Sequence, residues 1–265
     1  MLASFRLRAQ VLCSYEAIRR VAFENVEDAW QDGVRLAELR FAPCFSAQEK
    51  EIGLDEVIEG VLDGITRGME MYPVQVGLTG IAARSFGAEP NRAALRELLR
   101  YRRSIHRNAD RISGFDLADA EDTTDPASFV PLVEDARAAG LGITVHSGEN
   151  TSAEHVKRAM ALYRPDRIGH GIKAWGDEEA VALLRERRTM LEICPTSNVL
   201  TRSVSSPEEH PIGRLRDAGV AVSISSDDPR LMAIDLVHEY DLCARLHGFG
   251  LEAFRAANRS ALDAS

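Results

Sequence analysis

Hydrophobic positions along the chain follow two alternating patterns. Short runs are apolar at successive positions, as "RLAELRFAP" (35–43), "PVQVGLTGIAA" (73–83), "RISGFDLAD" (111–119) and "GITVHSGE" (142–149) illustrate. "RIGHGI" (167–172), "TMLEICPTS" (189–197) and "VAVSISSDD" (220–228) continue the series. These seven stretches predict strands, apolar on both alternate sets as strands covered on both faces must be. Between them, "AALRELLRYRRSIH", "FVPLVEDARAAG", "DEEAVALLRERR" and "PIGRLRDAG" carry apolar residues at helical spacing, and several end in Gly. A long amphipathic pattern from Ala3 toward Gly33 predicts a helix ahead of the first strand.

Strands that alternate with helices predict a parallel α/β fold. A dinucleotide-binding fold needs a Gly-rich turn after its first strand, and the chain has no G-x-G-x-x-G. The pattern matches a (β/α)8 TIM barrel with helices outside and its first strand lacking, because seven strands are visible and the missing one belongs upstream of Met1. Connections are short and no low-complexity linker interrupts them, so residues 1–265 read as one barrel domain, incomplete at the N-terminus. A chain of 265 residues has the length of one such barrel.

Composition narrows the function. At 45% hydrophobic and 28% charged the chain is globular. Its net charge of −9, with no dense Lys/Arg cluster, argues against nucleic acid or an acidic membrane as partner. No apolar run is long enough to span a bilayer and no signal peptide is visible, so the expected compartment is cytoplasmic. Cys13, Cys44, Cys194 and Cys243 are far apart and form no C-x-x-C, which fits reduced thiols there.

A barrel builds its active site at the C-terminal ends of its strands. There the sequence places Asp116 and Asp119, His146 and Glu149, His170 within "GHG", and Asp227 and Asp228 within "SSDDP". Each is weak alone. A lone strand histidine is more often a satisfied core residue than a ligand, and Asp-Asp-Pro is more often a helix cap. Four strand ends carrying two imidazoles and several carboxylates are together a constellation. His146 and Asp227 are suitable N and O ligands for zinc, which lowers the pKa of bound water to about 7. Glu149 is placed to hand over a proton, and His170 and Asp228 to hold or deprotonate the water. The lysines are Lys50, Lys157 and Lys173, with none in 111–119 to bridge two metals, so one metal is the economical reading.

"TVHSGEN", "RIGHGI", "LEICPTSNVLT", "HPIGRLRDAGVAVSISSDDP" and "ELRFAP" together resemble the adenosine deaminase family of the amidohydrolase superfamily, in order, from about Tyr15 onward. The resemblance implies a zinc enzyme with one metal per chain that hydrolyses the 6-amino group of a purine nucleoside, releasing ammonia. By motif, His146 and Asp227 would bind zinc. Glu149 would protonate the ring nitrogen beside the attacked carbon, and His170 would orient or deprotonate the water. Asp228 would bond the water or the purine. The stretch with Asp116 and Asp119 would lie beneath the purine.

Two departures matter. The family's H-x-H zinc pair, at the end of its first strand, is absent, which implies a chain truncated before that point or a homologue without catalysis. "AANRSALDAS" also ends before the family's last helix. Asp119 stands where the family commonly has Gly, adding bulk and charge beside the ligand, which points beyond unmodified adenosine to modified adenines. "HSGE" for "HAGE" and "SSDDP" for "NTDDP" are smaller changes. Competing readings are another amidohydrolase opening a cyclic amide or ester, and a metal-free ligand-binding remnant. Of the remaining residues, Cys194 reads as a buried small hydrophobe and His210 as a helix-start residue beside Pro211. Glu38 and Arg40 read as a buried ion pair.

Overall fold

The computed structural model describes residues 11–48, 52–122 and 124–265. Met1–Gln10 and Lys50 lie outside them, so the start of the N-terminal helix pattern is not covered. The chain divides into two compact units, one up to Gly142 and one from Ile143 onward.

The first unit carries α1 (Tyr15–Gln31), β1 (Leu36–Phe41), the short α2 (Pro43–Ala47), α3 (Leu54–Met71), β2 (Gln75–Ala83), α4 (Ala88–Arg102), β3 (Ile112–Ala118) and α5 (Val130–Ala138). Within the described residues the long helical pattern is interrupted at Leu12–Ser14, and α1 starts at Tyr15, where the Ser14 side chain accepts a bond from the Ala17 N–H at 3.2 Å and caps it. β1 pairs with β2, and β2 with β3, both in parallel. α1 lies close on α3. A Cβ at Gly64 would sit 2.3 Å from the Arg19 carbonyl, and one at Gly68 would sit 2.6 Å from Val26 Cβ. Glycine at these points permits backbone contact that a larger residue forbids. Val57, Ile58, Leu62 and Ile65 of α3 and Val76 and Leu78 of β2 are buried in the core.

The second unit takes β4 (Gly142–Ser147, starting at the boundary), α6 (Ala153–Tyr163), β5 (Arg167–His170), α7 (Glu178–Arg187), β6 (Met190–Ile193) and α8 (Pro195–Leu200). It continues with α9 (Ile212–Asp217), β7 (Val222–Ile224), α10 (Pro229–Met232), α11 (Leu236–His247) and α12 (Leu251–Asp263). β4, β5, β6 and β7 pair in sequence order, all parallel. Ile143, Val145, Ile168, Leu191 and Ile193 fill the core beneath α6 and α7.

All seven expected strands are present, each shorter than its apolar run. "TMLEICPTS" is extended only to Ile193, since Pro195 opens α8 at a position where its missing N–H costs nothing. "VAVSISSDD" is strand only over Val222–Ile224, although the Ser225 N–H still donates to the Ile193 carbonyl of β6 at 2.9 Å. Among the described residues no helix is long and apolar enough to cross a membrane.

Candidate active site

The C-terminal ends of β4, β5, β6 and β7 carry the second unit's candidate chemistry. His146 is the fifth residue of β4, and Glu149 follows the strand after Gly148. Gly148 adopts φ +70°, and a Cβ there would strike Val156 at 2.4 Å. The chain therefore turns sharply before Glu149. His170 ends β5 with φ +62°, and Asp227 lies beyond β7 with φ +59°. Residues other than glycine adopt this left-handed conformation uncommonly, and it clusters where function holds the backbone.

The two imidazoles meet edge to face, with centroids 5.1 Å apart and planes at 73°. Gly169, paired in register with His146, makes this possible, because a Cβ on it would lie 2.8 Å from His146 Nδ1. Gly169→Ala is therefore expected to displace the His146 ring and lower stability by about 1–3 kcal/mol. A urea melt reads the loss of stability, and a weakened zinc titration reads the displaced ring.

One ligating atom each from His170, Cys194 and Asp227 lies within 4.8 Å of the others. The Cys194 thiol and Asp227 carboxylate, together with the His146 imidazole packed against His170, are donor types that suit zinc. The residues present thus fit the metal. Ser197 Oγ donates to Asp227 Oδ2 at 2.6 Å and orients that carboxylate. Asp228 occupies the position before α10 yet makes no side-chain cap bond, so it is not the simple helix cap that Asp-Asp-Pro suggests.

Glu149 sits in a polar cradle. Its Oε1 accepts from Thr201 Oγ1 at 2.8 Å, Asn198 Nδ2 at 3.3 Å and Ser203 Oγ at 3.4 Å. Its Oε2 lies 3.7 Å from His170 Nε2. Asn198 Nδ2 also reaches His170 Nδ1 at 3.1 Å, and His210 Nε2 reaches Asn198 Oδ1 at 3.1 Å. Burial pushes the His210 pKa down to about 3, assisted by nearby His247 and His170, so this ring is neutral near pH 7. Glu239, fully buried on α11, accepts the Thr196 N–H at 3.0 Å, and burial raises its pKa. The sequence reading missed Ser197, Asn198, Thr201, Ser203 and Glu239, and it took His210 for a helix-start residue. His210 does meet the Ile212 N–H there, but it is also buried against Asn198. The one local signal was "PTSN", small polar residues in the first turn after Pro195.

In the first unit, Asp116 is fully buried on β3 and accepts from Arg40 Nη1 at 2.8 Å. Asp119 has φ +75°, the conformation that suits the glycine common at this point in the resembled family. Its Oδ2 accepts the Ser85 N–H at 3.1 Å and its carbonyl accepts from Arg84 Nη1 at 3.1 Å. The carboxylate is thus folded back onto its own unit's backbone.

Comparison with known proteins identifies the family. The adenosine deaminase family model matches residues 1–265. An adenosine deaminase of Shigella flexneri serotype 5b (strain 8401) is 37% identical over 254 residues, which cover 96% of this chain and 74% of the relative. The solved N6-methyl-AMP deaminase of Arabidopsis thaliana superposes with a TM-score of 0.87 at 25% identity, covering 98% of this chain and 77% of its own. A Burkholderia ambifaria amidohydrolase with bound Zn shares the fold, with a TM-score of 0.85 at 23% identity over 95% of this chain and 69% of its own. These likenesses establish the (β/α)8 amidohydrolase fold class that the strand and helix order predicts. Family model and relatives together show that the chain belongs to the adenosine deaminase family of aminohydrolases.

Proposed function

We propose that the chain catalyses zinc-dependent hydrolytic deamination of adenosine or a related 6-aminopurine nucleoside, giving the 6-oxo product and ammonia. The observation that carries this reading is the Glu149 cradle beside His146, His170 and Asp227. His146 and Asp227 are assigned to the metal, with the Cys194 thiol close enough to Asp227 to add to the donor set. Zinc, when bound, supplies a water whose pKa is near 7 and hence a nucleophile at neutral pH.

The protein residues do the rest. Thr201 and Asn198 donate to Glu149 Oε1, and Oε2, on the His170 side, is assigned to carry a proton to the purine ring nitrogen. Protonation there draws electrons from the adjacent carbon and makes it electrophilic; the incoming water oxygen bonds to that carbon, its proton passes to the amino group, and the exocyclic C–N bond then breaks as ammonia leaves. His170 faces the same side through Nε2 and orients the incoming oxygen. Asp228 is assigned to hold that oxygen or the purine. The Asp119 carboxylate, engaged with the Ser85 N–H, supports unmodified adenosine among the substrates.

The test is zinc content of the purified chain after dialysis without chelator, followed by ultraviolet spectroscopy with adenosine. Stoichiometric zinc and the spectral shift of deamination are expected. A chain that neither retains zinc nor alters adenosine when zinc is added rejects the proposal.

A further inference from the structure

A buried hydrogen-bond relay reaches His170 from the far side of α8. It starts at a group whose role is unambiguous, the Ile212 backbone N–H, which can only donate. That N–H donates to His210 Nδ1 at 3.1 Å. The His210 ring is neutral, so its proton must sit on Nε2, which therefore donates to Asn198 at 3.1 Å. The receiving Asn198 atom has to be Oδ1, and this fixes which way the amide faces. Its NH2 group is then aimed at His170 Nδ1 at 3.1 Å and Glu149 Oε1 at 3.3 Å, one hydrogen for each. Asn198 is 0% and His210 1% exposed, so water does not compete for these bonds.

We propose that His210 and Asn198 are positioning residues that set the tautomer of His170, making Nδ1 its acceptor and Nε2–H its donor. Asn198 serves both catalytic groups with one amide, because the NH2 that selects the His170 tautomer also occupies the Glu149 oxygen turned away from His170 Nε2. The consequence rests on the deaminase reading. His170 then meets the attacking oxygen as a hydrogen-bond donor that orients it, and removal of the oxygen's proton falls to a carboxylate, with Asp228 the candidate already assigned there.

The relay is testable without metal, substrate or turnover, so its failure is separable from failure of the deaminase reading. The probe is the imidazole nitrogen spectrum of the 15N-labelled full chain at neutral pH, with His170 assigned through His170→Gln. The expected wild-type pattern is an unprotonated Nδ1 and a protonated Nε2 on His170. Asn198→Asp is isosteric but offers only acceptors toward His170, so the proton is expected to move to Nδ1 while surface His155 stays unchanged. A wild-type His170 protonated on Nδ1, or an unchanged His170 pattern in a folded Asn198→Asp chain, overturns the proposal. If Asn198→Asp does not fold, His210→Gln and His210→Phe decide. The glutamine still donates to Asn198 Oδ1 and should preserve the single tautomer, whereas phenylalanine should release it to a mixture. One unchanged tautomer in both variants overturns the relay.

Discussion

Glu149→Gln is expected to lower kcat/KM for purine deamination by about 100-fold to 10,000-fold, the range a positioned general acid supplies. Glutamine keeps an oxygen that accepts from Thr201, Asn198 and Ser203, so the cradle survives. It has no carboxyl proton to give to a ring nitrogen. The fold should be untouched, with an unchanged melting temperature and unchanged zinc content. The measurement is the initial rate of the adenosine absorbance change for the zinc-loaded chain. A loss below tenfold would remove Glu149 as the acid. Equal loss of zinc and activity would assign it to the metal instead.

Arg40→Met is expected to cost about 3 kcal/mol of stability, toward the low end for breaking a buried ion pair from one side. Asp116 is 0% exposed while the Arg40 side chain is 22% exposed, so the arginine carries the solvent-facing half of the pair. Removing it leaves a carboxylate on β3 without its strongest counter-charge. Urea unfolding of the full chain measures the loss. A double variant, Arg40→Met with Asp116→Leu, should recover most of it, because the charge that needed compensation is gone. A loss under 1 kcal/mol would place Arg40 and Asp116 among ordinary screened surface pairs. The pair also adds a partner that the sequence reading of the strand did not name. Glu38 and Arg40 share one face of β1 by alternation, and a carboxylate 2.8 Å from Arg40 comes from β3, 76 residues away.

Much of the architecture was legible in the chain. Strands covered on both faces have no polar face, and runs such as "GITVHSGE" and "RISGFDLAD" stand out against the amphipathic helices between them. Strand ends were less legible, because local composition does not say where pairing stops. "TMLEICPTS" reads as one β-run, yet Pro195 starts a helix inside it. Ser14 splits the N-terminal amphipathic pattern in the same way, through a cap bond that hydrophobic spacing does not encode.

The site divided along the same line. His146, Glu149, His170, Asp227 and Asp228 could be named as candidates from the sequence because strand ends in a β/α repeat place their residues on one rim. Asn198, His210 and Ser197 could not. Nothing in "PTSN" or "EEHPIG" says that an amide from one helix start meets an imidazole twelve residues later, or that the imidazole is buried. The sequence by itself determined the order of elements and the chemical groups at the strand ends, since both follow from local periodicity. Tertiary structure alone decided which partners orient those groups, because a hydrogen bond depends on distances between segments far apart in the chain. Asp119 shows both at once. Its departure from glycine was plain in the sequence, but only a left-handed backbone and the Ser85 N–H turned its charge back onto the protein.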